Sequence, residues 1–142
     1  MKISAKTEYA CRALMELCLH WPNLQPIQIQ EVAKRRRIPM KFLVHIMIQL
    51  KQMGYVRSLR GQKGGYILTK PPKEIILSEI LDFFGEINIH GKSELKNSQE
   101  SDAFQLIWKD ADNVLSDYFN KINFDELVKR ERSLGQVPMY AI

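Results

Sequence analysis

Tyr55-Val56-Arg57-Ser58-Leu59-Arg60, Gly61-Gln62-Lys63-Gly64-Gly65, Tyr66-Ile67-Leu68-Thr69-Lys70: two β-prone runs are held apart by a loop with three glycines in five residues. Glycine reaches positive φ without steric cost, so the loop closes a hairpin with Lys63 on its tip. Pro71 and Pro72 stop the second strand, because proline has no N–H to give a ladder. Upstream of the hairpin the apolar spacing becomes helical. Pro39 fits the first turn of a helix, where its missing N–H costs nothing, and Leu43, Ile46, Met47 and Leu50 form that helix's inward stripe up to a Gly54 cap. Before it, Gln28 or a neighbour opens a helix of about two turns with Ile29, Val32 and Ala33 inward, finishing on Lys34 to Arg37. Ser4 caps a first helix whose stripe runs Tyr9, Ala10, Ala13, Leu14, Leu17, Cys18 and Trp21, ended by Pro22 and Asn23. Two short helices joined by a tight turn at Ile38, followed by a hairpin, read as a winged helix-turn-helix.

Downstream of the prolines, Ser78 is positioned to cap a short helix through Ile80, Leu81 and Phe84. From Gly85 to about Glu100 the chain is polar and aperiodic, which reads as a loop. A longer helix follows from about Ser101 to Lys121. It carries two apolar stripes, Phe104, Ile107, Ala111, Val114 and Tyr118 in one and Trp108, Leu115 and Ile122 in the other. Two stripes need two partners, one being the chain's own domain and the other a second subunit. Asn123 and Glu126 form a capping box for a short last helix with Leu127 and Val128 inward, and the tail from Ser133 is expected to fray. The fold class is therefore mainly α with a small β hairpin. The expected division is residues 1–73 as a winged helix-turn-helix, by its charge a DNA-binding domain; 74–100 as a short helix and a loop expected to be a sensor region; and 101–142 as the expected dimerisation helix, last helix and tail.

Charge divides along the same line. Residues 1–73 hold 14 Lys and Arg against 3 Asp and Glu, a net +11, whereas residues 74–142 hold 7 against 13, a net −6. A solubilising surface would intersperse the signs; a basic half is made for a polyanion, with nucleic acid ahead of an anionic membrane surface or an acidic protein patch. No stretch approaches the ~18 apolar residues of a membrane span, and the N-terminus lacks a signal-peptide pattern, so a cytoplasmic location is expected. The two cysteines, Cys11 and Cys18, share a helical face with Leu14 and Leu17. Their Cα atoms would stand ~10 Å apart on a helix, too far for a disulfide, and the reading is two core thiols instead of a redox pair. Enzymatic function is excluded by the lack of a phosphate loop before a helix, a metal-spaced Cys/His cluster or a nucleophile motif; the glycine-rich loop lies inside a hairpin. No cofactor and no metal are expected.

Met1-Lys2-Ile3-Ser4-Ala5-Lys6-Thr7-Glu8-Tyr9-Ala10, Val56-Arg57-Ser58-Leu59-Arg60-Gly61, Gly64-Gly65-Tyr66-Ile67-Leu68 and Pro71 together resemble the Rrf2 family of bacterial transcription regulators. The resemblance is densest over residues 1–85, and its Arg-Gly-x-x-Gly-Gly-Tyr wing signature is its most specific part. It implies a winged helix-turn-helix, a long dimerisation helix and a palindromic operator. Many members hold an iron–sulfur cluster on three cysteines in the loop before the dimerisation helix. Residues 85–105 here offer His90, Glu94, Glu100 and similar oxygen donors but no cysteine, so the chain is more similar to the cluster-free, cysteine-metabolism-repressor-like branch.

In a helix-turn-helix the start of the second helix meets base edges, which selects Pro39, Met40, Lys41, Val44 and His45. Lys41 suits guanine O6 or N7, Val44 a thymine methyl, and His45 can donate or accept. Family members often carry glutamate where Val44 stands, so the valine implies a different site preference. Arg60 matches a family position that reaches into the minor groove. Lys2, Lys6, Arg36, Arg37, Gln62 and Lys63 are candidate phosphate contacts, although cations ending a helix are also favoured by its macrodipole. Arg37 falls where the family commonly places glycine, which implies positive φ there. The competing reading is a winged-helix protein-interaction module without specific DNA binding, since fold alone does not set function. A small-molecule or protein effector acting on the 85–100 region stays open.

Overall fold

The computed structural model describes residues 1–88 and 102–135. Helix α1 (Ala5–Leu19) begins where the Ser4 hydroxyl accepts the Thr7 N–H, and it turns Ala10, Ala13, Leu14, Leu17 and Cys18 into the core. Helix α2 (Ile29–Arg36) is two turns long and ends on Arg37 in the left-handed region, φ 52° and ψ 48°, as the glycine-for-arginine exchange implies. Without glycine that conformation costs about 1 kcal/mol. It lets the Ile38 N–H return to the Ala33 carbonyl at 3.0 Å and swings the chain into α3 (Met40–Gln52). Pro39 is the N-cap of α3, one residue ahead of its expected place, and Leu43, Ile46, Met47 and Leu50 are fully buried.

Strands β1 (Val56–Leu59) and β2 (Gly65–Leu68) pair antiparallel with Val56 opposite Leu68 and Leu59 opposite Gly65. Each is shorter than the composition suggested. The sheet gains a third member that has no alternating pattern to reveal it: Ile27 and Tyr66 exchange backbone hydrogen bonds at 2.8 and 3.0 Å. That close approach explains Gly65, where a Cβ would stand 2.4 Å from the Ile27 carbonyl oxygen. Gly64 is required for a similar reason and not for positive φ, since a Cβ there would meet the Leu59 oxygen at 2.3 Å.

Beyond a 3-10 turn at Pro72–Glu74 the structure corrects three expectations. Helix α4 (Leu77–Phe83) starts from Ile76, and Ser78 is not its cap. The Leu77 N–H bonds the Ile122 carbonyl and the Phe124 N–H bonds the Ile75 carbonyl, both at 2.9 Å, so the chain enters α4 already paired. Ser78 is thereby turned inward, where its hydroxyl meets the Asn120 side chain. Helix α5 (Ala103–Asn120), capped by Asp102, stops before Ile122. Ile122 is buried within the protomer, just before α6 (Phe124–Gly135), and so is not available to the exposed dimerisation stripe. Asn123 caps α6 through the Glu126 N–H at 2.9 Å, and the helix continues through Ser133 where fraying was expected.

Phe124 and Val128 of α6 enter the same core as Leu14, Leu43, Ile46, Ile75 and Ile80. One core therefore reaches from α1 to α6. The 85–100 loop is described only to Asn88, and His90, Glu94 and Glu100 lie outside the described residues. Its visible start is pinned: Glu86 Oε1 accepts from the Ser4 N–H at 3.0 Å, the Ser4 hydroxyl at 2.6 Å and the Thr7 hydroxyl at 2.7 Å. These bonds, the Ser4 hydroxyl first, hold the Glu86 carboxyl below its ordinary pKa.

Candidate nucleic-acid interface

With four residues of α3 in the core, its remaining side chains are set by helix geometry. At about 3.6 residues per turn, Lys41, His45, Ile48 and Gln52 fall opposite the buried stripe, with Val44 beside them and Met40 toward one flank. All six are exposed. Ile48 and Gln52 escaped the sequence reading, which stopped at the helix start; the i, i+4, i+7, i+11 series from Lys41 would have found them. Lys41 Nζ lies 5.1 Å from the Phe42 ring centroid, and Phe42 leans on Tyr9 of α1 at 5.9 Å.

Besides the Ile27–Tyr66 backbone pair, two side-chain hydrogen bonds tie the hairpin to this unit. Lys51 Nζ donates to the Ser58 hydroxyl, and Gln28 Nε2 donates to the Gln62 carbonyl, both at 3.4 Å. Arg60, Gln62 and Lys63 stand exposed on the loop. Lys2 and Lys6 are exposed at the other end of α1, where Lys6 rides 5.8 Å over the Phe84 ring.

Between residues 32 and 73 the sequence contains no Asp or Glu and 11 Lys or Arg. The three carboxylates earlier in the chain are each matched by arginine: Glu8 with Arg12 at 3.8 Å, Glu31 with Arg35 at 2.8 Å, and Glu16 with both Arg35 and Arg36. The wing and α3 are thus left as an uncompensated positive surface, the condition for holding a polyanion.

Arg36 requires a correction. Its two terminal nitrogens grip both Glu131 oxygens at 2.7 and 3.0 Å while Nε donates to Glu16 Oε2 at 2.8 Å, so it joins α1, α2 and α6 and is not a free phosphate contact. Burial alone would raise the Glu16 carboxyl; hydrogen bonds from Arg35, Arg36 and His20 outweigh it and hold the pKa below the usual carboxylate value. The signal was present in the sequence: a glutamate inside the inward face of α1 demands a cation, and the arginine run supplies one. Arg37 remains exposed.

A second surface lies on α5. Phe104, Ile107, Trp108, Val114 and Tyr118 are 53–68% exposed, Ala111 is exposed, and Leu106, absent from the expected stripes, is 54% exposed. Phe104 and Trp108 stack at 6.3 Å. The expected division of labour between two stripes does not hold, because the side toward the chain's own domain is Gln105, Asp112, Leu115, Ser116 and Phe119, of which only Ser116 is buried and the others are partly covered. Leu115 is the stripe residue that is partly covered.

Cys18 is buried and Cys11 half-buried, both free, and burial pushes each thiol up to about 12, with Glu8 and Glu86 adding to the effect at Cys11. Among the described residues no group of three His, Cys, Asp or Glu is placed to hold a metal ion, and no helix is long and apolar enough to cross a membrane.

Comparison with known proteins agrees with this geometry. A family model described as "Rrf2: Iron-dependent Transcriptional regulator" matches residues 3–130. The HTH-type transcriptional regulator IscR of Pectobacterium atrosepticum is 27% identical over 139 residues, covering 95% of this chain and 84% of that protein. Among solved structures, T. potens IscR superposes with a TM-score of 0.80 at 21% identity, covering 99% of this chain and 95% of the other. CymR, the global cysteine regulator of B. subtilis, superposes at 0.75 with 22% identity, covering 92% and 98%. The structural likenesses establish the winged-helix fold, and the family match over most of the length establishes the rest: the chain belongs to the Rrf2 family, as a DNA-binding transcription regulator and not an enzyme.

Proposed function

We propose that the protein is a cytoplasmic homodimeric repressor that binds a palindromic operator without an iron–sulfur cluster. The observation that carries this reading is the outward face of α3, exposed, acid-free and tied to a cationic hairpin. The N-terminal turns of α3 enter the major groove, with Pro39 and Met40 at the helix start, Lys41 toward guanine, Val44 toward a thymine methyl and His45 toward an adjacent base. Arg60 enters the minor groove, while Lys2, Lys6, Arg37, Gln62 and Lys63 contact phosphates.

A second copy joined along α5 through Phe104, Ile107, Trp108, Ala111, Val114 and Tyr118, with Leu115 at the margin, places two recognition helices on half-sites about one helical turn or a multiple apart. Repression is the outcome where the operator lies across a promoter. The donor set of this chain does not fit the cluster held by many relatives. Such clusters take several thiolates, and the chain has two cysteines, both in α1 with thiols pushed up to about 12.

The test is to incubate the purified protein with fragmented DNA from its source at near-physiological salt and sequence what is retained. An inverted repeat near promoters is the expected result. Sequence-independent retention alone would sink the operator reading and turn attention to a protein partner.

A further inference from the structure

Val44 and Ile48 stand one helical turn apart on α3 and are 42% and 48% exposed. The apolar needs of this helix are already met by four fully buried residues. Helix formation does not account for the pair either, since β-branched residues are poorer helix formers than alanine, glutamate or lysine at exposed positions. Ile48 lies nearly opposite the core, on the line of Lys41 and His45, so the strip occupies the part of the helix that a groove would receive.

The surroundings commit the occupant. Lys41 and Lys51 share the exposed side of α3 with the strip, and no carboxylate occurs anywhere on α3 or the hairpin. An apolar protein partner laid here would desolvate those cations with nothing to pair them. Duplex DNA neutralises them with phosphate and offers one apolar group on its major-groove edges, the thymine 5-methyl.

Resting on the docking of α3 proposed above, we infer that Val44 and Ile48 form a two-residue strip that reads the 5-methyl groups of thymines in each half-site. Four residues advance about 6 Å along a helix, so the two methyls recognised lie within about two base-pair steps of 3.4 Å. This makes Ile48 a specificity-determining residue on the third turn, beyond the helix start that meets the bases first.

Uracil lacks only the methyl, which makes it the probe. On the operator recovered from genomic fragments, each thymine of one half-site is replaced singly by uracil, and affinity for the full-length protein is measured by fluorescence anisotropy at fixed salt. Two positions within about two steps of each other should each weaken binding about fourfold, equivalent to ~0.8 kcal/mol per methyl. Val44→Ala should abolish the uracil effect at one position and Ile48→Ala at the other, with circular dichroism unchanged because both side chains are on the surface. Undiminished binding to every uracil operator, or uracil effects that persist in both variants, overturns the strip while leaving sequence-specific binding in place. Absence of any sequence preference in the wild-type protein removes the strip and the operator reading together.

Discussion

Helices α3 and α5 both turn large apolar side chains to solvent, but in opposite settings. α3 sits in an acid-free stretch and is anchored by four residues with no exposure. α5 carries Asp102 at its cap and Asp110, Asp112 and Asp117 along its length against Lys109 and Lys121, and among its own residues only Ser116 is fully buried. A helix fixed by its inner face can hold an exposed face rigidly toward a rigid polyanion. A helix without such an anchor, with a row of aromatic and aliphatic side chains in water, has the character of an interaction site for another apolar surface. Under the function proposed above, exposed hydrophobicity serves base reading in one place and self-association in the other, and charge is what distinguishes the two settings.

The strongest test of this contrast is to place charge in the α5 row. Ile107→Asp with Val114→Asp should leave a monomer by analytical ultracentrifugation. Operator affinity should fall about 10²–10⁴-fold, because the two half-sites no longer share an effective concentration. Both side chains are more than half exposed in the protomer, so the α1-to-α6 core should keep its cooperative melting. A double variant that still sediments as a dimer would break the assignment of α5.

How much of this was legible in the sequence depended on whether local pattern or long-range pairing set the feature. The Ser4 cap, the stripes of α1 and α3 and the hairpin follow from signals confined to a few neighbours, whereas the left-handed Arg37 was implied only by the family resemblance. The larger failures involve partners distant in the chain. Ser78 looked like a cap because its pairing with Asn120, 42 residues on, is invisible locally. Ile122 fitted a seven-residue stripe, although the helix ends two residues earlier and the side chain is captured by the core. Arg36 resembled any cation at a helix end until Glu16 and Glu131 were brought to it from 20 and 95 residues away. Of the candidate base-reading face, its beginning was readable from helix-turn-helix logic, whereas Ile48 and Gln52 required applying the burial pattern to the whole of α3.

A smaller effect sharpens the contrast from the side of the anchored unit, whose helices α1, α2 and α6 are joined through Glu16, Arg36 and Glu131. Glu16→Gln keeps the shape and removes the charge; at neutral pH it should cost about 1.5–3 kcal/mol, the range for hydrogen bonds to charged groups. Because the folded-state pKa of Glu16 is depressed, its contribution is fully present above the ordinary carboxylate value of 4.5 and is lost as pH falls through the folded-state value. Urea unfolding of wild type and variant should therefore differ most at pH 7 and converge in acid. A gap that stays constant down to strongly acidic pH would mean that lost packing, and not the charge on Glu16, sets the difference.

The smallest effect separates the wing tip from α3. Lys63 is exposed on the hairpin loop, beside Gln62 and without an ion-pair partner among the described residues. A cation in that position is suited to hold a phosphate, which is the same at every sequence. Lys63→Glu should weaken binding to operator and unrelated duplex alike and lower the slope of log affinity against log salt by about 1. The order of preference among operator variants should stay as in the wild-type protein, because the residues proposed to distinguish bases are on α3. If Lys63→Glu instead reorders those variants at constant salt slope, the wing reads bases, and recognition is divided between the hairpin and α3.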